Sequence, residues 1–300
     1  MMKTCLMYAG QGSQYEGMGL DIIKNYPDTI AIIDEASQVL GEDIHAWFSN
    51  SESLKNTYQT QLLMVITQEL FDFVLKDQNI DGVFGFSLGE MSALKRAGVI
   101  TFKDMLRLTQ ARAKAMQHAA EGSDGMMAAV VKLTPEVIEN ICKTHSTPTS
   151  YMMPVNYNAP LQTVISGHKL AFENIKDHLV EAGGKVLPLR VSGAFHTPLM
   201  KTHQHLYEAI IDDIELKEPQ LPLFSNVTGK LMMNITKDDL IQQMTSPVLL
   251  TTIFKNIHAL GYTHLIEIGP GNVLSQLASK QIDSVIIKTY QNAQSLEENI

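Results

Sequence analysis

The alternation of apolar runs and helical spacings along the chain predicts an α/β protein. Met2 to Ala9 is apolar enough for a buried strand, and it runs into the glycine-bearing loop Gly10 to Gln14. Val83 to Phe86 has the same apolar character and enters a tight turn. Around these strands the apolar residues recur at helical spacing, which predicts helices over 28–41, 60–76 and 103–119. Strands that alternate with helices are typical of the α/β class.

The pattern changes at about Met126. From there the chain predicts a strand-helix-strand-strand-helix-strand order, with elements over 126–133, 135–145, 152–157, 161–166, 169–183 and 185–191. This βαββαβ order is typical of a ferredoxin-like unit. Thr134-Pro135 supplies an N-cap and a first-turn proline for one helix, and Gly183-Gly184 supplies a stop for the other. We therefore expect a small domain over 126–190, inserted into a body formed by 1–125 and 191–300.

The last third of the chain belongs to the body. Its pattern predicts a strand over Leu221–Val227, a second strand over His264–Ile268 that ends at Gly269-Pro270-Gly271, and helices over 199–213, 237–245 and 248–260. No internal repeat and no low-complexity linker divides the sequence.

Composition excludes several classes of protein. The 300 residues are 45% hydrophobic and 18% charged, which is enough to bury a core. The longest strictly apolar run, Met126 to Val131, is far shorter than the ~20 residues that cross a bilayer, and no secretory leader pattern opens the sequence. Cys5 and Cys142 suggest neither a disulfide framework nor a metal site. We expect a soluble, cytoplasmic protein with no metal and no membrane partner.

Charge narrows the partners further. The 23 Lys and Arg residues against 32 Asp and Glu residues give a net charge of −9, with no basic block, which disfavours nucleic-acid binding. The basic residues include only four arginines, so each deserves examination: Arg96, Arg107, Arg112 and Arg190.

The sharpest local motif is Gly85-Phe86-Ser87-Leu88-Gly89, a G-x-S-x-G between an apolar strand and a helical sequence. In such a turn the glycines relieve crowding, the serine hydroxyl is raised into a cleft, and the following amide points toward a developing oxyanion. A glycine-rich turn with an ordinary serine is the alternative interpretation.

A serine hydroxyl needs a base near neutral pH. Among the ten histidines, His196 is the best candidate, because it lies in the loop where the inserted unit returns to the body. Such a loop can face the same cleft as Ser87. Most of the other histidines lie in or beside polar helical stretches, which is typical of surface residues.

These motifs resemble the malonyl-CoA:acyl carrier protein transacylase family, including the stand-alone acyltransferases of polyketide synthesis. The matching stretches follow one order along the chain: Gly10-Gln11-Gly12-Ser13-Gln14, Thr60-Gln61, Ser87-Leu88-Gly89-Glu90, Arg112 with Met116-Gln117, Val155-Asn156-Tyr157-Asn158, Gly193-Ala194-Phe195-His196, Ser246-Pro247-Val248 and Glu267-Ile268-Gly269-Pro270-Gly271. The resemblance implies an α/β hydrolase-like body with a ferredoxin-like insert, in agreement with the element pattern.

The resemblance also implies roles for individual residues. Ser87 matches the nucleophile and His196 its general base, later the acid that protonates the departing thiolate. The backbone amides of Gln11 and Leu88 match the oxyanion-hole donors. The backbone carbonyl of Gln243 matches the group that orients the histidine, so no carboxylate is needed there.

Arg112 matches the residue that binds the malonyl carboxylate. A guanidinium fork binds a planar carboxylate through two parallel hydrogen bonds, which lysine cannot reproduce. An ordinary surface arginine on the predicted helix is the alternative. The expected pocket residues are Gln61, Phe86, Met116, Asn156 and Phe195.

Two positions depart from the family pattern. Phe86 stands where the family has histidine before the nucleophile, which leaves acyl selectivity open, and Leu62 replaces a proline after Thr60-Gln61. Phe195 matches relatives that use unbranched malonyl, since a bulky ring would crowd an α-methyl group.

The resulting hypothesis is a malonyltransferase that loads carrier proteins for fatty acid or polyketide synthesis, with malonyl-CoA and acyl carrier protein as partners. It needs no bound cofactor, because the phosphopantetheine belongs to the carrier, and we expect a monomer. An acyl hydrolase that clears stalled carrier proteins is the first alternative, and an inactive scaffold is the second.

Overall fold

A parallel sheet forms the centre of the body in the computed structural model, which describes residues 2–122, 124–189, 191 and 193–298. Its strands are β1 (Thr4–Tyr8), β2 (Gly82–Gly85), β7 (His264–Ile268) and β8 (Ile286–Tyr290), and they are ordered β2-β1-β7-β8. The carboxyl ends of parallel strands meet at one edge of a sheet, so the loops after β1 and β2 lie together.

The helices of the body lie around this sheet, some directly on its two faces and others on those helices. In chain order they are α1 (Leu20–Asn25), α2 (Ile30–Leu40), α3 (Ile44–Phe48), α4 (Thr57–Val74), α5 (Gly89–Arg96), α6 (Phe102–Glu121), α9 (His205–Ile211), α10 (Lys237–Gln243), α11 (Leu250–Ala259), α12 (Val273–Ala278) and α13 (Ala293–Glu297). Short 3-10 turns occur at Pro27–Thr29, Ser51–Lys55 and Pro198–His203.

The coverage explains why β1 has no polar face. Leu6 and Tyr8 pack in the large cluster on the side of α4 and α6, whereas Cys5 and Met7 pack in a second cluster on the side of α11 and α12. All four side chains are fully buried. A parallel strand covered on both faces is expected to be largely apolar, as β1 is after Thr4.

The second sheet is formed by the stretch of sequence between α6 and α9. It contains β3 (Gly125–Val131), β4 (Met152–Ala159), β5 (Gln162–His168) and β6 (Lys185–Pro188), with α7 (Pro135–His145) and α8 (Lys169–Glu181) as its helices. The strand order β4-β5-β3-β6, with every pairing antiparallel, is that of a ferredoxin-like unit. The predicted fold class is therefore confirmed.

The boundaries of this unit, 126–190, stay a prediction, and Arg190 lies outside the described residues.

The two helices of this unit have one of the two predicted end signals. Gly183 adopts φ +95°. Its N–H donates to the Val180 carbonyl and the Gly184 N–H donates to the Leu179 carbonyl, both in the last turn of α8. Thr134 is the N-cap residue of α7 but makes no side-chain cap hydrogen bond.

The segment between α10 and α11 attaches the second sheet to the body. Val248 N–H donates to the Val155 carbonyl at 2.7 Å, and Tyr157 N–H donates to the Val248 carbonyl at 2.9 Å. Thr251 Oγ1 adds a third bond, to the Tyr157 carbonyl, at 2.9 Å. The edge strand β4 is thus attached to the body next to Ser246-Pro247-Val248.

Two predicted elements were wrong. Leu221–Val227 forms no strand, only single bridges at Leu223 and Phe224, because Pro222 lacks an N–H and can only accept a bond from Val83. The predicted helix 199–213 is divided into the 3-10 turn Pro198–His203 and α9.

The Glu267 side chain bonds the end of β7 to the start of α12. Its fully buried carboxylate accepts from the N–H groups of Leu274 and Ser275 at 3.0 and 2.7 Å, at the start of α12. Burial raises the pKa of Glu267, and the two N–H donors oppose that rise. The carboxylate therefore fixes the turn Gly269-Pro270-Gly271 between β7 and α12.

We expect Glu267→Ala to lower the free energy of unfolding by about 2–4 kcal/mol, because two buried N–H groups lose a charged acceptor. Urea denaturation followed by circular dichroism measures this loss. The exposed Glu215→Ala is the control and should change stability by less than about 0.5 kcal/mol. Equal effects of the two substitutions would contradict the capping role.

Candidate active site

The turn between β2 and α5 holds Ser87 in a conformation that most residues avoid. Ser87 has φ +52°, in the left-handed region. A Cβ at Gly85 would lie 1.9 Å from the Gly89 carbonyl carbon, and a Cβ at Gly89 would lie 2.2 Å from the Tyr8 carbonyl oxygen. Both glycines of the motif are therefore required sterically, and the strand, turn and helix follow one another as expected.

His196 lies within hydrogen-bond distance of Ser87. Its Nε2 is 2.7 Å from Ser87 Oγ, and its Nδ1 is 3.0 Å from the Gln243 carbonyl and 3.2 Å from the Ser246 carbonyl. Carbonyl oxygens only accept, so Nδ1 carries the proton and Nε2 accepts from the serine hydroxyl. Burial, with the charge of Arg112 as the second cause, lowers the pKa of His196 to about 4.

Arg112 is a buried cation beside the same hydroxyl. It lies on α6 with 1% of its surface exposed. Nη1 donates to Gln61 Oε1 at 2.8 Å, and Nη2 donates to Ser87 Oγ at 3.1 Å and to Gln243 Oε1 at 3.4 Å. The alternative of a surface arginine is excluded.

The Arg112 guanidinium has a donor group without an acceptor. Its Nε donates to no acceptor, and no carboxylate forms an ion pair with it among the residues that the structure describes. Burial lowers the pKa of Arg112 to about 10, and the interactions with Tyr207 and Glu90 oppose this. A buried, unpaired cation is unfavourable by itself, so this arrangement suits an anionic ligand.

These groups line one cleft of about 90 Å³. The other lining residues are Gln11, Phe86, Leu88, Met116, Met127, Asn156, Leu189, Val191 and Phe195. The volume is well below the roughly 300–1,000 Å³ of pockets for drug-sized ligands, so it suits a short acyl group.

The remaining predicted residues also meet at this cleft. Gln61 Nε2 donates to Gln11 Oε1 at 3.2 Å and contacts Met116 Sδ at 3.5 Å. The backbone N–H groups of Gln11 and Leu88 have no protein acceptor within the described part of the chain. Asn156 Oδ1 is buried and unpartnered. The structure thus brings together the residues that the family resemblance implied for the site, whereas Arg96 and Arg107 pair with acidic residues elsewhere.

Phe86 fills the position that departs from the family pattern. Its half-buried ring packs so closely on Gly10 that a Cβ there would lie 2.7 Å from Phe86 Cδ1. The ring adds apolar surface beside Ser87, as expected for a residue that replaces an imidazole.

Sequence reasoning missed two residues. Asn226 Oδ1 accepts from Ser87 N–H at 2.7 Å, and the Asn226 N–H donates to Glu90 Oε1 at 3.0 Å. Burial raises the pKa of Glu90 to about 7. The signals were an asparagine inside an apolar segment and the acidic residue that ends the Ser87-Leu88-Gly89-Glu90 motif.

No cluster of three or more histidine, cysteine, aspartate or glutamate side chains that could hold a metal ion occurs in the described ranges. Over the same ranges, no helix is both long and apolar enough to span a bilayer.

The chain belongs to the family of the acyl transferase domain, whose model matches residues 5–298. It is 33% identical over 307 residues to a malonyl CoA-acyl carrier protein transacylase of Staphylococcus aureus, with all of both chains covered. The Bacillus subtilis protein of the same name is 33% identical over 287 residues, with 93% of this chain and 90% of that protein covered.

Solved structures agree with this assignment. The malonyl CoA-acyl carrier protein transacylase of Clostridium perfringens superposes with a TM-score of 0.94 at 31% identity, covering 99% of this chain and 95% of that one. A malonyl-transacylase solved in complex with its type II polyketide acyl-carrier protein superposes with a TM-score of 0.93 at 34% identity, covering 98% of each chain.

We expect the rate of Ser87 labelling by a fluorophosphonate to fall as the pH decreases through about 4. Protonated His196 cannot accept the serine proton, and burial keeps the imidazole neutral well below the ~6.5 of a free histidine. Intact mass against time measures the rate, with circular dichroism confirming the folded state at each pH.

The charge of Arg112 contributes to this low pKa, so Arg112→Gln should move the midpoint to higher pH. Arg107→Gln, on the same helix, should leave it unchanged. A wild-type midpoint near ~6.5 would contradict the buried environment of His196.

Proposed function

We propose that this acyltransferase moves a malonyl group from malonyl-CoA to the phosphopantetheine thiol of an acyl carrier protein. The observation that carries the proposal is the position of Ser87 Oγ, 2.7 Å from a neutral imidazole nitrogen and 3.1 Å from a buried guanidinium. The first contact supports a nucleophile and its base. The second supports the binding of an acyl group that ends in a free carboxylate.

The first half-reaction forms an ester on Ser87. As Oγ attacks the thioester carbonyl carbon, its proton passes to His196 Nε2 and the carbonyl oxygen becomes an oxyanion. The carbon–sulfur bond of the tetrahedral intermediate then breaks. Nε2 returns the proton to the sulfur, coenzyme A leaves as a thiol, and the malonyl ester remains.

The second half-reaction reverses these steps with a different thiol. His196 Nε2 takes the proton of the phosphopantetheine thiol as the sulfur attacks the ester carbonyl carbon. The carbon–Oγ bond breaks, and Nε2 returns the proton to Oγ. Because the Nδ1 proton is shared by two backbone carbonyls, the imidazole keeps one tautomer through both transfers.

The oxyanion of each intermediate would be bound by the backbone N–H groups of Gln11 and Leu88. Both lie on the cleft without protein acceptors, and Leu88 precedes the first turn of α5. Donors that are already oriented need no rearrangement as charge develops.

Arg112 would bind the malonyl carboxylate. Nε is unpartnered, and Nη2 contacts Ser87 Oγ at 3.1 Å and Gln243 Oε1 at 3.4 Å, so the edge formed by Nε and Nη2 can donate to two carboxylate oxygens. Phe195, Met116 and Phe86 would surround the methylene, and the Phe195 ring would crowd an α-methyl branch. A neutral acyl chain gains nothing from the cation, which argues against a general acyl hydrolase.

Malonyl transfer predicts that malonyl-CoA alone leaves a malonyl ester on the wild-type protein, and that Ser87→Ala abolishes it, because the ester oxygen is lost. Intact mass spectrometry measures the adduct. Adding holo carrier protein should move the malonyl group to the carrier. Release of free malonate instead would support the hydrolase, and no adduct together with no fluorophosphonate labelling would support the scaffold.

Arg112→Ala should lower kcat/KM for malonyl-CoA by about 10–100-fold, since a charge-assisted hydrogen-bond pair is lost, and change kcat/KM for acetyl-CoA much less. Carrier-protein acylation with each donor measures the ratio. Arg107→Ala is the matched control on α6 and should preserve it. An unchanged ratio in Arg112→Ala would refute the carboxylate role.

A further inference from the structure

Two buried carboxamides hold the peptide units on either side of Ser87. Asn226 Oδ1 accepts from the Ser87 N–H at 2.7 Å, and Gln243 Nε2 donates to the Ser87 carbonyl at 2.7 Å. Asn226 is fully buried and Gln243 is 2% exposed, so water does not compete for these bonds.

The backbone at Ser87 needs such support. A left-handed φ at a residue with a side chain is strained and persists only where the surroundings impose it. Relaxation of that angle would move Oγ away from His196 Nε2. A displacement of roughly 1 Å can lower a reaction rate by about 100-fold.

Gln243 contacts the other two candidate groups as well. Its side-chain Oε1 lies 3.4 Å from Arg112 Nη2, and its backbone carbonyl accepts from His196 Nδ1 at 3.0 Å. The family resemblance accounts only for the backbone contact. The side chain connects the nucleophile's backbone with the guanidinium.

Asn226 is hydrogen-bonded to both ends of the turn that contains Ser87. Its Nδ2 donates to the Gly85 carbonyl at 2.6 Å, at the end of β2, and its backbone N–H donates to Glu90 Oε1 at 3.0 Å, in the first turn of α5. The acceptor of the Ser87 N–H is therefore fixed to the strand and to the helix that flank the turn.

We propose that the side-chain amides of Gln243 and Asn226 are positioning groups that hold Ser87 in its reactive conformation, with Gln243 also fixing the distance from Ser87 to Arg112. The proposal rests on the proposed function only in taking Ser87 as the nucleophile. Neither side chain touches the reacting atoms.

Gln243 allows a clean test, because Gln243→Ala and Gln243→Met remove the side-chain amide and keep the backbone carbonyl that orients His196. We expect the rate constant of Ser87 labelling by a fluorophosphonate, and kcat for malonyl transfer, to fall about 10–100-fold. The acid midpoint of labelling should not move. Gln242→Ala, an exposed residue of the same type next to it, should match the wild type.

Gln243→Glu separates the two side-chain contacts. The carboxylate can still accept from Arg112, and as an anion it would neutralise the guanidinium, but it cannot donate to the Ser87 carbonyl. We expect it to label as slowly as Gln243→Met and, in addition, to raise KM for malonyl-CoA. If Asn226→Ala folds, we expect Ser87 to be labelled as slowly as in Gln243→Met. If it does not fold, the Gln243 variants test the proposal without it.

A purely structural role would lower the melting temperature or the fraction of protein that labels, and leave the rate constant of the folded fraction unchanged. A rate constant of Gln243→Met within about twofold of Gln242→Ala would overturn the proposal. If labelling of Gln243→Met is slow and its acid midpoint is also shifted, the loss of rate comes from a change at His196, and the proposal is overturned as well. Labelling does not require malonyl-CoA, so failure of the proposed function would appear separately, as a wild-type protein that labels but forms no malonyl ester.

Discussion

The close approach of backbone to backbone at the Ser87 turn is the constraint on which the site depends. With no side chain at Gly85 or Gly89, α5 can begin directly against the end of β1, and the chain can reverse direction within one left-handed residue. This geometry exposes the hydroxyl and the following amide on the same side. His196 also has a left-handed φ, +60°, so both partners of the 2.7 Å hydrogen bond are held in conformations that only the surrounding fold can maintain.

The surrounding fold also maintains a charge that would be unfavourable alone. Arg112 is contacted by Gln61, Ser87 and Gln243, all neutral, from three separate elements of the body. Neutral acceptors satisfy a guanidinium without cancelling its charge, whereas an aspartate in their place would have formed a permanent ion pair. The cation therefore remains available to a ligand, and it also helps to keep His196 neutral.

The sequence predicted those parts of the structure that depend on local patterns. The apolar run of β1, the βαββαβ order, the glycine stop after α8 and the Ser87 turn all have short-range causes, and the structure has each of them. The predicted strand over Leu221–Val227 forms only the single bridges at Leu223 and Phe224, because an apolar run does not show how many ladder partners a segment has. The subdomain boundaries and the residue roles remain predictions.

Sequence patterns do not show which residues form hydrogen bonds across long stretches of the chain. Asn226 meets Ser87 across 139 positions, and the Gln243 side chain meets it across 156. Only the fold shows that these two amides face the same peptide units. For Gln243, the resemblance concerned only the backbone carbonyl, and the side-chain contacts are visible only in the structure.

The segment that attaches β4 to the body also contacts His196. Ser246-Pro247-Val248 bonds to the edge strand β4 through Val248 and to His196 Nδ1 through the Ser246 carbonyl. The same short segment therefore bears on the ferredoxin-like layer at one end and on the imidazole at the other. The orientation of the His196 ring and the position of β4 therefore depend on backbone carbonyls that are only two residues apart, those of Ser246 and Val248.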